Sequence, residues 1–527
     1  VEVGIMAEQE QVINFKVLKL YQSYEILPVW RLLWTITTLI GVSIVTRSFY
    51  RLYFHPLRNF PGPRLAAITH LYEFYFDGIQ GGKFIWEINR MHDKYGPIVR
   101  INPREIHIRD PYFFNQIYNT GVQDKDRYMV NISTAPLSTF ATVDYHLHRS
   151  RRGILNPFFS RQSVFKVEDI VQEKVGKVTT RLETAHQNGS AVFLDDIFAA
   201  LTADIISDYA YGKSLNVLDD KNFRNSFRDA LTSGAPLCHM LRFFPLLLTL
   251  LDRIPSVIQW LSPSTAGLFD MKRGVEQQSR EAIQKSKSAR SGQSARTIYD
   301  ALTDSSVPAE ERTMERLRDE GMVVLSAGTE TTARVLSMGA FYIYRDEHIL
   351  RKLREELEKA LPTLDENLSW TQLEKLPYLS AIVKESLRMS SSVTIRAPRI
   401  SHRVLAYKEY MIPPGTPVSQ SIYFVHTDPT VFPNPDKFDP ERWIKSSENG
   451  DRLERYLVPF SGGSFICLGM NLAYCELYHM FATLVRRFDL KHETKPEEIR
   501  ITRDFIIGLP DEDELKIRSY VSNVIRD

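Results

Sequence analysis

Near the C-terminal end, Phe460–Gly469 reads FSGGSFICLG and runs straight into MNLAYCELYHMFATLV. Two glycines, a tight loop and a cysteine just before a long apolar helix put Cys467 beside free backbone N–H groups. Those groups and the helix dipole lower a thiol pKa and moderate the electron donation of the thiolate. Gly463 and Gly469 let backbone approach a flat ligand closely. An isolated cysteine is more often a small core residue. Cys475, two turns into the helix, keeps that reading.

A second constellation is Ala327–Thr332, AGTETT, inside a segment that is almost all apolar from Gly321 to Tyr344. Ala327, Gly328 and Thr331 share one helical face by their i,i+3 and i,i+4 spacing. The two small residues predict a groove wide enough for a ligand, with the Thr331 hydroxyl in it. Glu330 is an acid one position away, so the two make a proton-delivery pair. Glu330 also has Arg334 at i,i+4, and a buried acid needs such a partner. Glu385 and Arg388 stand at i,i+3, and Arg442 in Phe438–Trp443 (FDPERW) is a further arginine for Glu385. On a surface such a pair contributes under ~1 kcal/mol. His148–Arg152 (HRSRR) and Arg396 and Arg399 in VTIRAPRI are basic groups able to bond a carboxylate, or else ordinary solvated cations.

These groups need elements to hold them. The chain has 527 residues, 43% hydrophobic and 25% charged, enough for a substantial core. With 66 Lys+Arg against 64 Asp+Glu the net charge is +2, which gives no argument for nucleic-acid binding. Cys238, Cys467 and Cys475 cannot build a disulfide framework or a zinc set. Helical periodicity covers Ser163–Thr184, Leu194–Tyr211, Arg312–Tyr344, Asp346–Leu361 and Thr371–Met389. Ile98–Ile108 alternates like strands, and Val404–Val418 reads as a hairpin turning at Pro413-Pro414-Gly415. Leu32–Val45 is uncharged and, extended back through Ile26–Trp30, approaches the length that spans a bilayer. Arg47, Arg51, Arg58 and Arg64 follow it, which keeps the body on the cytoplasmic side. Pro56, Pro61 and Pro63 then make a stiff segment. Leu237–Pro255 is strongly apolar, either a core helix or a stretch that dips into a membrane surface.

Four motifs, A-G-x-[DE]-T-T at Ala327–Thr332, E-x-x-R at Glu385–Arg388, P-E-R-[FW] at Pro440–Trp443 and the loop around Cys467, stand in one order at compatible spacing. In this the sequence resembles the cytochromes P450 over Tyr53–Asp527. Within them it is most similar to filamentous-fungal microsomal members of the trichodiene-oxygenase type, through YRLYFHPLRNFPGPRLAA, NPFFSRQSV and GMNLAYCELY. The resemblance implies a mainly α fold with small β-sheets. It divides the chain into an N-terminal segment 1–50 with one membrane anchor at about 27–46, a Pro-rich hinge 51–64 and a catalytic domain 65–527. It implies heme b, with Cys467 as the axial ligand of the iron and Phe460, Gly463 and Gly469 shaping the loop against it. Thr331 and Glu330 deliver protons during dioxygen activation. Glu385, Arg388 and Arg442 form a buried network. His148 and Arg152, in the Trp and Arg positions of the family's W-x-x-x-R helix, meet the propionates, with Arg396 and Arg399 as further candidates. The substrate pocket draws on Phe140, the 237–248 region, Ala327, Val393, Ile395, Ile506 and Ile507.

The implied reaction is insertion of one oxygen atom into a lipophilic terpenoid, polyketide or alkaloid intermediate. Electrons come from NADPH through a flavoprotein reductase, at the endoplasmic reticulum membrane with the catalytic domain cytoplasmic. A heme-thiolate isomerase or dehydratase is the alternative, against which Thr331 argues. A non-catalytic heme-binding protein is another, for which one departure speaks. The family places Arg or His two residues before the cysteine, where this chain has Phe465, so one propionate contact is lost.

Overall fold

The hydroxyl of Thr313 accepts the N–H of Arg316 and starts the longest element, a 32-residue helix over Met314–Arg345. Asp346 ends it by capping the next helix, Glu347–Ala360, through the N–H groups of His348 and Ile349. The computed structural model describes residues 30–223, 226–246, 266–288, 297–364, 366–511 and 514–526. Met314–Arg345 is the central helix. It packs on Leu194–Tyr211, Ala266–Ser288, Pro377–Met389 and Met470–Arg487. Leu194–Tyr211 is apolar nearly all round and is accordingly buried nearly all round. Small residues set the close approaches. A Cβ on Gly328 would lie 2.6 Å from Ile206, and one on Gly339 2.4 Å from Phe481. One large apolar core runs through these helices, and smaller clusters lie under the sheets.

Five short strands form the main sheet in the order Ile98–Arg100, Ile106–Ile108, Pro417–Ser419, Arg399–Ser401, Gln123–Lys125. All pairs are antiparallel except Ile106–Ile108 with Pro417–Ser419. The edge pair sets Lys125 directly opposite Arg399. Three further strands, Val192–Phe193, Arg518–Val524 and Phe488–His492, pair beside the central helix, and Arg503–Phe505 with Ile507–Leu509 makes a hairpin.

Three expectations on element boundaries are corrected. Ser163–Thr184 is two helices, Arg161–Phe165 and Glu168–Asn188. Thr371–Met389 is likewise Trp370–Leu373 and then Pro377–Met389, because Pro377 lacks an N–H to continue a helix but suits a first turn. The hairpin Leu405–Tyr407/Tyr410–Ile412 turns at Lys408-Glu409, with Lys408 at φ 50°. Pro413-Pro414-Gly415 makes the following turn, closed by Thr416 N–H to Pro413 O at 3.3 Å and tied to the neighbouring strand by Gly415 N–H to Ser401 O at 2.9 Å, into strand Pro417–Ser419.

At the N-terminus, Trp30–Tyr53 is a 24-residue helix, exposed over most of its length and long and apolar enough to cross a membrane. Residues 27–29 of the expected anchor lie outside the described residues, as does 247–255 of the Leu237–Pro255 stretch. The Pro-rich segment docks on the body. Arg100 N–H donates to Pro61 O at 2.7 Å, and a Cβ on Gly62 would meet Arg100 O at 2.5 Å.

Candidate active site

The cysteine loop is closed by its own backbone. Cys467 N–H donates to Phe460 O at 2.9 Å, and Ile466 N–H to Gly463 O at 3.1 Å. The Phe460 ring packs against Tyr474 on the helix that follows, Met470–Arg487. Gly463 has a different reason from the one expected. At φ 64° its Cβ would strike Tyr118 O at 2.1 Å, so it lets the loop press on the helix Phe114–Tyr118 rather than on a ligand. Gly469, by contrast, has open space where a Cβ would be. Cys467 is exposed, unlike Cys238 and Cys475. Burial pushes its thiol up, and this outweighs the N–H groups of Gly469 and Met470 and the Arg152 charge, which pull the other way. The expected lowering by the helix end is therefore present but overridden in the protein alone.

Around this loop four basic groups converge. Arg152 and His148 come from the helix Tyr145–Leu155, Lys125 and Arg399 from the sheet edge. Phe465 lies among them, its ring 4.4 Å from that of His148, 4.6 Å from the Arg399 guanidinium and 4.8 Å from Lys125 Nζ. Arg152 donates to Ile466 O, Lys125 to Phe140 O at 2.6 Å, and Arg399 to Ala397 O and Pro398 O. Among the described residues no carboxylate forms an ion pair with Lys125, Arg152 or Arg399, and Arg399 Nε and His148 Nδ1 are buried without a partner. Burial and mutual repulsion hold Lys125 well below the usual lysine range, while burial brings Arg399 down to about 10. His148 is brought down to about 3, first by burial and then by its cationic neighbours, and so is neutral. Like charges set opposite each other across a sheet are destabilising. The arrangement fits a ligand that carries carboxylates and lies against Cys467.

Arg396 is not part of it. Its Nε bonds Glu105 at 2.8 Å, its Nη2 bonds Glu73 and Glu105, and it is fully buried among them. The expectation that Arg396 meets a propionate is corrected on that ground, and Arg399, three residues on, faces the loop instead.

On the central helix, Thr331 Oγ1 donates to Ala327 O at 2.9 Å, and Ala327 is exposed. Gly328 is turned away and pressed on Ile206, so the expected groove consists of Ala327 and Thr331 alone. Glu330 does not form its ion pair with Arg334. Its partner is Arg228, Nε to Oε1 2.6 Å, brought from the helix Ser226–Gly234. Helical spacing cannot reveal a partner that comes from another helix.

Glu385 and Arg388 are both fully buried and paired twice, at 2.7 and 3.0 Å. Arg442 Nε donates to Glu385 at 3.1 Å, and Trp443 Nε1, from the same motif, joins them at 2.9 Å. Ile395, Ile506 and Ile507 cluster with Ile132, Cys238, Phe505 and Leu509, and Thr394 N–H to Ile506 O at 3.1 Å fixes their relation. Cys238 belongs to the helix Leu237–Phe243. Val393 is half-buried beside Thr394, and Phe140 is 48% exposed. The loop that carries Phe140 is held from the central helix. Glu320 accepts Thr139 N–H at 2.8 Å and its hydroxyl at 2.7 Å, and Asp319 accepts Leu137 N–H at 2.9 Å. Lys125, Glu320 and Arg228 are the members of the site that sequence reasoning missed. Each is a charged residue whose burial comes from distant chain, and only the short run Gln123–Lys125 before a loop could have pointed to Lys125.

A family model described as Cytochrome P450 matches residues 61–516. Conidiogenone synthase PchP450 of Penicillium rubens is 45% identical over 479 residues, 90% of this chain and 96% of its own. Cytochrome P450 monooxygenase aflU of Aspergillus parasiticus is 41% identical over 93% of this chain and 98% of its own. Cytochrome P450 monooxygenase TRI4 of Fusarium sporotrichioides is 41% identical over 89% of this chain and 91% of its own.

Proposed function

Since the chain belongs to the cytochrome P450 family, as a monooxygenase of the fungal secondary-metabolism type, we propose that it inserts one atom of dioxygen into a lipophilic terpenoid, polyketide or alkaloid intermediate, with NADPH electrons delivered by a flavoprotein reductase. The observation that carries the reading is the set of unpaired cations, Lys125, Arg152 and Arg399, around the Cys467 loop. Cys467 would hold heme b, which would supply redox chemistry at its iron. Lys125, Arg152 and Arg399 would hold its propionates, and the neutral His148 would add one N–H. Gly469 and Met470 direct N–H groups at the Cys467 sulfur and stabilise its charge. The Thr331 hydroxyl, beside exposed Ala327, holds and passes the protons that the reaction consumes. Ile395, Ile506 and Ile507 offer only apolar surface, which selects a lipophilic substrate.

The test of the reaction is expression with a reductase and candidate scaffolds under isotopically labelled dioxygen. One labelled oxygen atom per product is expected, and product without label would sink the proposal. Thr331→Ala is expected to keep heme and substrate binding but lower product formed per NADPH several-fold. An unchanged ratio refutes the role of Thr331.

Lys125 takes the place of the cation absent at Phe465. A charge-assisted hydrogen bond is worth about 1.5–3 kcal/mol, so Lys125→Met is expected to speed heme loss roughly 10- to 100-fold, while Lys125→Arg holds it. Heme transfer to an acceptor globin measures this, and equal rates in wild type and Lys125→Met would remove Lys125 from the site.

The exposed helix Trp30–Tyr53 supports anchoring in the endoplasmic reticulum membrane, with the catalytic part cytoplasmic. Deleting the chain through Tyr50 is expected to release protein from membranes with the heme spectrum intact. Loss of the spectrum on truncation would make the segment part of the fold instead.

A further inference from the structure

Beside Glu330, on the flank of the central helix next to Thr331's groove, lies a cavity of about 20 Å³, room for one or two water molecules. Asp195, Arg228, Glu330, Arg334, Ser337 and Glu514 line it, between apolar walls that include Ile507 and Leu509. Arg334 is only 4% exposed, and its Nε and Nη2 have no hydrogen-bond partner. Buried guanidinium N–H groups next to a polar cavity call for water. Asp195 is 2% exposed. Its Oδ1 accepts Ile517 N–H at 2.9 Å, and its Oδ2 lies 3.3 Å from Arg228 Nη2. Arg228 is thus shared by Asp195, Asp196 and Glu330.

We propose that Asp195, with Arg334 ordering water in this cavity, is the proton-holding station that resupplies Glu330. This rests on the reading that Glu330 and Thr331 deliver protons. Asp195 is a positioning residue that acts through Glu330. In the step, the O–H bond of the Asp195 carboxylic acid breaks and its proton passes along cavity water. An O–H bond forms on the Glu330 carboxylate, the negative charge moves to Asp195, and bulk water then returns a proton to Asp195. No electrons move.

Charge bookkeeping favours Asp195 as the protonated member. The groups facing it are Asp196 on its own helix, Arg228 from Ser226–Gly234, Glu330 and Arg334 from the central helix, and Glu514 and Lys516 before the last strand. Four carboxylates meet three cations, so one carboxyl is left uncompensated. Asp195 is the one pushed up to about 6, first by burial, against Arg228 and with Asp196 adding to it. It is therefore mainly protonated below that pH and mainly ionised above it.

The experiment uses the full-length holoenzyme. In wild type, the infrared carbonyl band of one protonated carboxyl is expected to disappear as pH rises through about 6. Asp195→Asn, which keeps an acceptor for Ile517 N–H, removes that band, and Asp195→Glu shifts it. Product per NADPH in wild type falls as pH rises through the same value. In Asp195→Asn it is several-fold lower and flat with pH, while heme content and the substrate-induced spectral shift stay as in wild type. Ser337→Val, which fills the cavity and leaves every charge in place, gives the same uncoupling. A band that neither Asp195 variant alters, or wild-type coupling and pH profile in Asp195→Asn, overturns the proposal. Should Asp195→Asn fail to fold, the Asp195→Glu band and Ser337→Val coupling decide. If Thr331→Ala uncouples and these variants do not, only the Asp195 station is wrong. If Thr331→Ala does not uncouple, the underlying reading falls first.

Discussion

Cys467→Ser is expected to abolish the red-shifted absorption of the reduced, carbon-monoxide-bound protein and, with it, product formation. The shift reports a thiolate bonded to iron, and a serine hydroxyl ionises far too weakly to stand in. Nothing nearby replaces the sulfur. Cys475 is wholly buried within the helix Met470–Arg487 and Cys238 lies in the apolar cluster with Ile506 and Ile507, and burial raises both thiols. On the proposal that Lys125, Arg152 and Arg399 hold the propionates independently of the sulfur, the variant should still take up heme, less tightly. Its carbon-monoxide difference spectrum should then show only the unshifted band. A red-shifted band in Cys467→Ser would mean that another residue ligates the iron.

The helices were legible where one chain segment determines its own environment. The periodicity over Leu194–Tyr211 matches the helix residue for residue, because an apolar run of that length has nowhere to go but the core. The central helix was misjudged by two residues at its start, where Thr313 caps it, and by one at its end. The Glu385–Arg388–Arg442 contacts were legible because that motif is a short string whose partners are local. The failures share a different cause. Arg396 and Arg399 are equivalent in the string VTIRAPRI, and only Glu73 and Glu105, some 300 residues away, decide that Arg396 is consumed by carboxylates. Arg228 likewise displaces Arg334 from Glu330, although i,i+4 spacing favours Arg334, because a guanidinium from a packed helix reaches the carboxylate at 2.6 Å. Lys125 reads as a solvated edge-strand lysine until the register puts it opposite Arg399. Phe465 alone suggests a missing cation, and only the fold brings Lys125, from a neighbouring strand, to its ring.

Glu385→Ala carries the largest expected cost to stability. The carboxylate is fully buried and accepts from Arg388 Nε and Nη2, Arg442 Nε, Trp443 Nε1 and the N–H of Asp439. Arg388 is committed further, to His426 O at 2.9 Å and Pro435 O at 2.7 Å, so it cannot swing out to water when its partner goes. Alanine therefore strands two guanidinium groups without a counter-charge, and breaking a buried pair in this way costs about 3–5 kcal/mol. That is a large share of the roughly 5–15 kcal/mol that holds a folded domain together. The site suffers with it, because the bonds from Arg388 and Arg442 to Pro433, Pro435 and Lys437 pin the segment that leads into the cysteine loop. Low yield of heme-loaded protein and a much lower urea midpoint are expected. Glu385→Gln keeps the volume but loses the charge and sets an amide N–H against arginine donors, so it should fall between wild type and alanine. Glu355→Ala is the control. Its Arg351 pair is 3.9 Å long with both side chains more than half exposed, and such surface pairs contribute under ~1 kcal/mol. A Glu385→Ala protein as stable as the Glu355→Ala control would mean that the buried network is not what holds this half of the fold.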